Sequence, residues 1–337
     1  MTAAAQSVQV ETDPFLSAYL APFEKWLGES DVTEIIVNRP GEVWVEQSGI
    51  MRSEQVGALD DVLLQRLAEQ VARVTNQGIS RERPLLAATL PNGARVQFVA
   101  PTATHGHWAL AIRRHCLVSL PLEAYETLPT TSDTELGTDA EADPIGFLKE
   151  AVRKRKTILI SGGTSSGKTT FLNALLREVP VNERVVLVED TPEVQLHGPV
   201  DLGLVAVKGE MGEAQIDAED LLQAALRLRP DRILLGELRG KEAVSFLRAV
   251  NTGHPGSFST IHANTPAGAL EQLALMVMQA GLGLSRADTI VYARSVIDII
   301  VQLGRSGGTR GIIEIKQLRT RIADLREELK QMDRRAA

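Results

Sequence analysis

Residues 162–169 read Gly162-Gly163-Thr164-Ser165-Ser166-Gly167-Lys168-Thr169, and this octapeptide decides the fold class. It satisfies the pattern G-x-x-x-x-G-K-[ST]. Just upstream, Thr157-Ile158-Leu159-Ile160 is an apolar run of strand character. Downstream, Thr170-Phe171-Leu172-Asn173-Ala174-Leu175-Leu176 opens a helix. In a strand–loop–helix setting the pattern describes a phosphate cradle. Gly162, Gly163 and Gly167 let the backbone curl closely round oxygen atoms. The loop N–H groups and the helix N-terminus face negative charge. Residues 162–170, Thr164, Ser165, Ser166 and Thr170 included, are therefore the expected contacts to the phosphates of a nucleotide, in a loop that kinases, GTPases and many motors share. Lys168 supplies a point charge to the β- and γ-phosphates, and the Thr169 hydroxyl a ligand for Mg²⁺.

From 145 to 303, strands alternate with helices, as a parallel α/β sheet requires. Strands are expected at 157–161, 185–189, 233–236 and 257–261, with a closing hairpin at 297–303 and 311–316 turning at Gly307-Gly308. Three strand ends carry polar groups, and that end of a parallel sheet is where α/β folds bind ligands. Val185-Val186-Leu187-Val188 runs into Glu189-Asp190-Thr191-Pro192-Glu193. Glu189 is placed there to orient or deprotonate an attacking water, with Glu193 a further candidate. Arg232-Ile233-Leu234-Leu235-Gly236-Glu237 is a second phosphate-side strand, with glycine where an aspartate is usual. Glu237 can serve Mg²⁺ or polarise the water, which leaves two candidate bases. Arg227, Arg229, Arg232 and Arg239 surround this strand, Arg239 being a candidate site residue. Ser257–Ile261 leads to His262, whose imidazole can donate to a γ-phosphate and report its loss. His254, in the approach to that strand, is a weaker candidate. Thr265-Pro266 suits the start of the next helix.

The rest of the chain is a different kind of domain. A helical apolar stripe spans 14–27, paired strands follow at 34–37 and 43–45, a second helical stripe runs from 59 to 74, and short strands lie within 85–113, among them 95–99 and 110–113. This reads as an α+β domain over 14–116, after a disordered leader at 1–13. Residues 117–144 hold seven acids and no Lys or Arg, and read as a flexible linker. The α/β domain takes 145–317. Leu318, Ile322, Leu325, Leu329 and Met332 give 318–337 an amphipathic helical tail.

Composition excludes several classes. The chain has 337 residues, a net charge of −7 and one cysteine, Cys116. An acidic chain is not the profile of a dedicated nucleic-acid binder, so direct nucleic-acid contact is not expected beyond a transient one. One cysteine builds no internal disulfide or tetracysteine zinc site, which suits a reducing cytosol. No apolar run is long enough to span a bilayer, and no secretory signal is apparent at the N-terminus. Membrane contact is expected to be peripheral, on an anionic surface, or through partners.

Four boxes in this order resemble the hexameric secretion ATPases of the type II/type IV superfamily: the loop at 162–169, Glu189–Glu193, a second strand ending Gly236-Glu237, and Gly253–Asn264. Leu226-Arg227-Leu228-Arg229-Pro230-Asp231 matches the family's lead-in to the second strand. The segment 32–45 resembles the N-terminal domain of the type IV branch. The single cysteine rules out the tetracysteine zinc module usual in the type II branch. Tight-adherence pilus ATPases also resemble this chain but usually carry a longer N-terminal extension, and twitching-retraction motors have a different N-terminal domain. The resemblance is therefore best to the VirB/Trb-type traffic ATPases of conjugation or effector export. The acidic linker and the tail have no counterpart in that pattern.

The resemblance implies a RecA-like P-loop domain (a mostly parallel sheet with helices on both faces) preceded by a smaller α+β domain. It also implies a homohexamer at the cytoplasmic face of the bacterial inner membrane, working with inner-membrane secretion components and other secretion ATPases. It further implies N-terminal-domain arginines that reach the γ-phosphate. Arg95 and Arg113 match those segments, and Arg114 competes with Arg113 in register. The implied mechanism closes the N-terminal domain on ATP–Mg²⁺ and releases it when hydrolysis removes the γ-phosphate. Two rival readings are a RecA-like nucleic-acid translocase, stimulated by DNA, and a nucleotide-gated scaffold that binds without turnover.

Overall fold

The computed structural model describes residues 13–114, 136–208, 215–306 and 309–318. The leader at 1–12, most of the acidic stretch, Cys116, the Gly307-Gly308 turn and the heptad-like tail beyond Leu318 lie outside them. The chain divides into two compact units.

The first unit is a six-stranded antiparallel sheet with helices packed on it. Its elements are α1 (Pro14–Leu20), α2 (Glu24–Leu27), β1 (Val32–Arg39), β2 (Glu42–Gln47), β3 (Ile50–Gln55), α3 (Asp61–Val74), β4 (Leu85–Thr89), β5 (Arg95–Val99) and β6 (Ala109–Arg113). The strand order is β3-β2-β1-β6-β5-β4. The helix expected over 14–27 is interrupted by a 3₁₀ turn, Ala21–Phe23. Pro22 sits in that turn, and its missing N–H cannot continue the helical ladder. In α3 the buried residues Leu64, Leu67, Ala68, Val71 and Ala72 recur at helical spacing, and Asp60 caps the first turn by accepting from Leu63 N at 2.7 Å. That stripe joins Val32, Ile35, Val37, Val96, Phe98, Leu110 and Ile112 in one core.

The second unit is α/β. It opens with a turn at 136–143, the end of the acidic stretch. Glu150 anchors this turn by accepting from the N–H groups of Gly137 and Thr138, each at 2.9 Å. Leu136 and Ala140 pack on the core beneath. Next come α4 (Pro144–Arg153), β7 (Ile158–Gly162), α5 (Lys168–Leu176), β8 (Val185–Glu189), β9 (Leu202–Val205) and α6 (Ala218–Ala225); between β9 and α6 in sequence lies the two-residue pair β10 (Val207–Lys208) and β11 (Gln215–Ile216), of which Val207–Gln215 belongs to the first unit. They are followed by β12 (Arg232–Leu238), α7 (Glu242–Asn251), β13 (Phe258–Ile261), α8 (Pro266–Gln279), α9 (Arg286–Val296), β14 (Ile299–Ser306) and β15 (Thr309–Gln317).

The main sheet runs β15-β14-β7-β13-β12-β8-β9. Every neighbouring pair is parallel except β14–β15. β7 and β8 are buried at every position, the signature of strands covered on both faces. On one face Phe147 and Leu148 of α4 and Leu172, Leu175 and Leu176 of α5 pack on Ile158, Ile160, Leu187, Leu234, Phe258 and Val301. Helices α6, α7 and α8 bury their own leucines outside that cluster and pack on the strands as well. All strands of the parallel set end at one edge, and that edge carries the glycine-rich loop.

The opposite edge is held by a buried ion pair. Arg232 is fully buried at the start of β12, so this member of the expected basic cluster is structural. Its Nε donates to Glu183 at 2.5 Å, and Nη1 and Nη2 donate to the carbonyls of Gly256 and Val152 at 3.1 and 2.8 Å. Gly256, at φ +79°, leaves the room: a Cβ there would stand 2.6 Å from the guanidinium.

Candidate nucleotide site

The loop between β7 and α5 takes the shape its residues permit. Gly167 caps α5 in the left-handed region, φ +89°, which glycine enters without a Cβ penalty. Gly162 faces the buried Ser166 hydroxyl, and a Cβ there would lie 2.3 Å from that oxygen. The Ser166 Oγ has no hydrogen-bond partner among the described residues. Lys168 folds back over the loop, donating to the carbonyls of Gly162 at 3.0 Å and Gly163 at 3.3 Å, with the His262 ring 3.3 Å away. Burial pushes its ammonium below the usual lysine range; the nearby Glu237 opposes this and Arg239 adds to it. An anion placed on the loop would reverse the burial effect.

Around this lysine the strand ends converge. Glu237, at the end of β12, accepts from His262 Nε2 at 2.7 Å and pairs closely with Arg239. Arg239 also reaches Asp190 at 3.0 Å, so it belongs to the acid cluster, whereas Arg229 pairs with Glu46 inside the first unit. Thr169 donates to Glu193 at 3.2 Å. Glu189, buried at the end of β8, accepts from the N–H groups of Glu193 and Val194 at 3.3 and 3.2 Å. Asn173 of α5 fastens the same segment by accepting from Gln195 N at 2.8 Å, a support that no motif announces.

The glycine in place of the usual acid has a steric reason. Gly236 lies beside Glu189 on the neighbouring strand, and a Cβ there would stand 3.1 Å from the Glu189 Cβ. The carboxylates at these two strand ends are therefore those of Glu189 and Glu237, with none at position 236. Gly236→Ala should push Glu189 aside and lower stability by about 1–3 kcal/mol. Thermal unfolding checks it, and an unchanged midpoint would show that the neighbour yields freely.

Not every expected residue is brought here. His254 lies before β13, at the other end of the strand from His262, and its Nδ1 bonds the Pro230 carbonyl at 3.0 Å. Burial lowers its pKa below the ordinary histidine value. In the first unit, Arg95 and Arg113 stand directly opposite each other on β5 and β6, and Glu34 is the next residue across in register. The Arg113 side chain is 64% exposed, with Glu34 at 3.6 Å. Arg114 differs: its guanidinium donates to the carbonyls of Trp26, Val32 and Glu29. Those bonds hold it inside its own unit as a tether for the α2–β1 turn, so Arg113 and not Arg114 carries the exposed cation at this register.

A parallel sheet, a glycine-rich loop that turns into a helix, a lysine on that loop and acids on the adjoining strand ends define a P-loop nucleotide-binding protein. The chain belongs to the family described as type II/IV secretion system protein, which matches residues 17–323. It is 36% identical over 332 residues to the type IV secretion system protein VirB11 of Bartonella henselae, covering 90% of this chain and 93% of that protein. It is 40% identical over 321 residues to the type IV secretion system protein PtlH of Bordetella pertussis, covering 88% and 93%. Among solved structures it resembles the VirB11 ATPase of the Brucella suis type IV secretion system, crystallised with sulphate. That match has a TM-score of 0.83 and 34% identity, and covers 90% of this chain and 97% of the other.

Proposed function

We infer that this chain is an ATP-hydrolysing motor of a type IV secretion system. The observation that carries the reading is the meeting of Lys168, Glu237 and His262 at the phosphate loop, in a chain whose full-length relatives are type IV secretion proteins, one a solved ATPase. The loop N–H groups and Lys168 receive the phosphates. Glu189 or Glu237 holds and deprotonates the attacking water. His262 hydrogen-bonds the γ-phosphate while it is present. Arg95 and Arg113 are the arginines that answer to the same phosphate from the N-terminal domain; their paired, outward placement on β5 and β6 supports that role.

The oxygen donors suit a hard divalent cation: the Thr169 hydroxyl with Glu193 bonded to it, and Glu237 close to the lysine. Mg²⁺ is usually held by one or two carboxylates, with water and phosphate oxygens completing its shell. Such an ion would be held through Thr169 and Glu237 and would supply charge neutralisation across the β- and γ-phosphates.

The working assembly is a homohexamer on the cytoplasmic face of the inner membrane, docked on membrane-embedded secretion components, other secretion ATPases and an anionic lipid surface. No helix among the described residues is long and apolar enough to cross a membrane. Loss of the γ-phosphate contacts lets the N-terminal domain move, and that swing does the work.

The test is turnover by the purified chain. ATP hydrolysis should require Mg²⁺ and stop with EDTA. Glu237→Gln should lower kcat about a hundredfold while ADP still binds. A Glu237→Gln enzyme with wild-type kcat would remove Glu237 from the chemistry. Marked stimulation of the wild type by DNA would favour a translocase instead.

A further inference from the structure

The hairpin β14–β15 runs on past the end of β7. Leu303 pairs with Gly162, the first residue of the loop. Two positions further, Arg305 stands directly opposite Arg310. Residues opposed in this way project from the same face of the sheet. The face is the one toward the loop, because the Arg310 Cδ lies 3.2 Å from where a Cβ on Gly167 would be.

Both arginines are exposed. No described acid pairs with either, although two like charges directly opposed on a hairpin cost stability. A pair of guanidinium groups so placed is complementary to a polyanion lying on the loop. The loop backbone addresses the α- and β-phosphates of a nucleotide, while the lysine reaches the β and γ. We propose that Arg310, reinforced by Arg305, binds the α- and β-phosphate oxygens, the part common to ATP and ADP. The proposal rests on the loop being the ATP site. It gives Gly167 a second task, since any side chain there would displace Arg310 as well as strain the cap.

Titrating the full-length chain with fluorescent ADP and ATP analogues tests it. Arg310→Ala should weaken both by about tenfold or more, the scale of one charge-assisted hydrogen bond. KM should rise in parallel and kcat stay within about twofold, because the contact is made equally before and during the reaction. Arg310→Lys should recover part of the affinity, as a point charge without the planar fork, and Arg305→Ala/Arg310→Ala should lose more than either single variant. Thermal unfolding should be unchanged or slightly raised in Arg310→Ala, since a like-charge pair is relieved.

ADP affinity within twofold of wild type would overturn the proposal, as would a loss confined to ATP or to kcat. Lys168→Ala measured alongside separates the two readings. If it binds ADP normally, the loop assignment fails; if it loses ADP while Arg310→Ala keeps it, only the role of Arg310 fails.

Discussion

Lys168→Ala is expected to lower ATP turnover about 10²–10³-fold, the scale of removing one charge-stabilising group from a reacting site. The chain should fold as before. Lys168 is a partly desolvated cation whose pKa burial has already lowered, so its removal relieves a cost in the nucleotide-free protein. What disappears is the charge now held at the carbonyls of Gly162 and Gly163, which is expected to move onto phosphate oxygens when nucleotide binds. Lys168→Arg should restore little, because the bulkier guanidinium must fit where an ammonium touches two carbonyls and an imidazole. Steady-state phosphate release measures both variants. Turnover within tenfold of wild type in Lys168→Ala would move the chemistry away from this loop.

The second large effect concerns stability at the opposite edge of the same sheet. Glu183→Ala should destabilise the second unit by about 3–5 kcal/mol, the scale of stranding one member of a buried ion pair. Arg232 would keep only the carbonyls of Gly256 and Val152. Burial already draws its pKa below the usual arginine range, with Glu183 as the main opposing influence. The loss corresponds to roughly 6–20 °C in the unfolding midpoint. Replacing both partners, as Glu183→Leu with Arg232→Met, should recover most of it, because apolar groups of similar volume often substitute for a buried pair without loss. Calorimetry on the three variants decides. A Glu183→Ala midpoint within 2 °C of wild type would mean that the arginine finds water or another acid.

The legible parts of this fold are those where one local signal suffices. Strands β7, β8 and β12 carry short apolar runs buried on both faces, which stand out in the sequence, whereas β13, Phe258-Ser259-Thr260-Ile261, is equally buried but is marked by its place before His262. Thr265-Pro266 opens α8 as its residue types require, with Thr265 accepting from Gly268 N at 3.0 Å. β3 was not legible, because Ile50–Gln55 is an exposed edge strand with no alternation to read. β9 was missed as well, since Leu202-Gly203-Leu204-Val205 is short and interrupted by glycine. Proline in the first helix was visible, but its effect depended on where the turn would fall.

The candidate site divides in the same way. Motif residues such as Lys168, Glu237 and His262 are readable because strand order alone gathers them. The choice between Arg113 and Arg114 is not, since it depends on three carbonyls from a turn more than eighty residues earlier. Arg310 gave no sequence signal: it is one arginine on an edge hairpin, and only the pairing of β14 with β7 brings it to Gly167. The reason for Gly236 was equally hidden, because the side chain it accommodates belongs to the neighbouring strand.

The most direct test is a structure of the chain with Mg²⁺ and a non-hydrolysable ATP analogue. The triphosphate should lie on the N–H groups of residues 163–169, with Lys168 Nζ moved from the Gly162 and Gly163 carbonyls onto the β- and γ-phosphate oxygens. An analogue bound elsewhere, with Lys168 still on those carbonyls, would contradict the account.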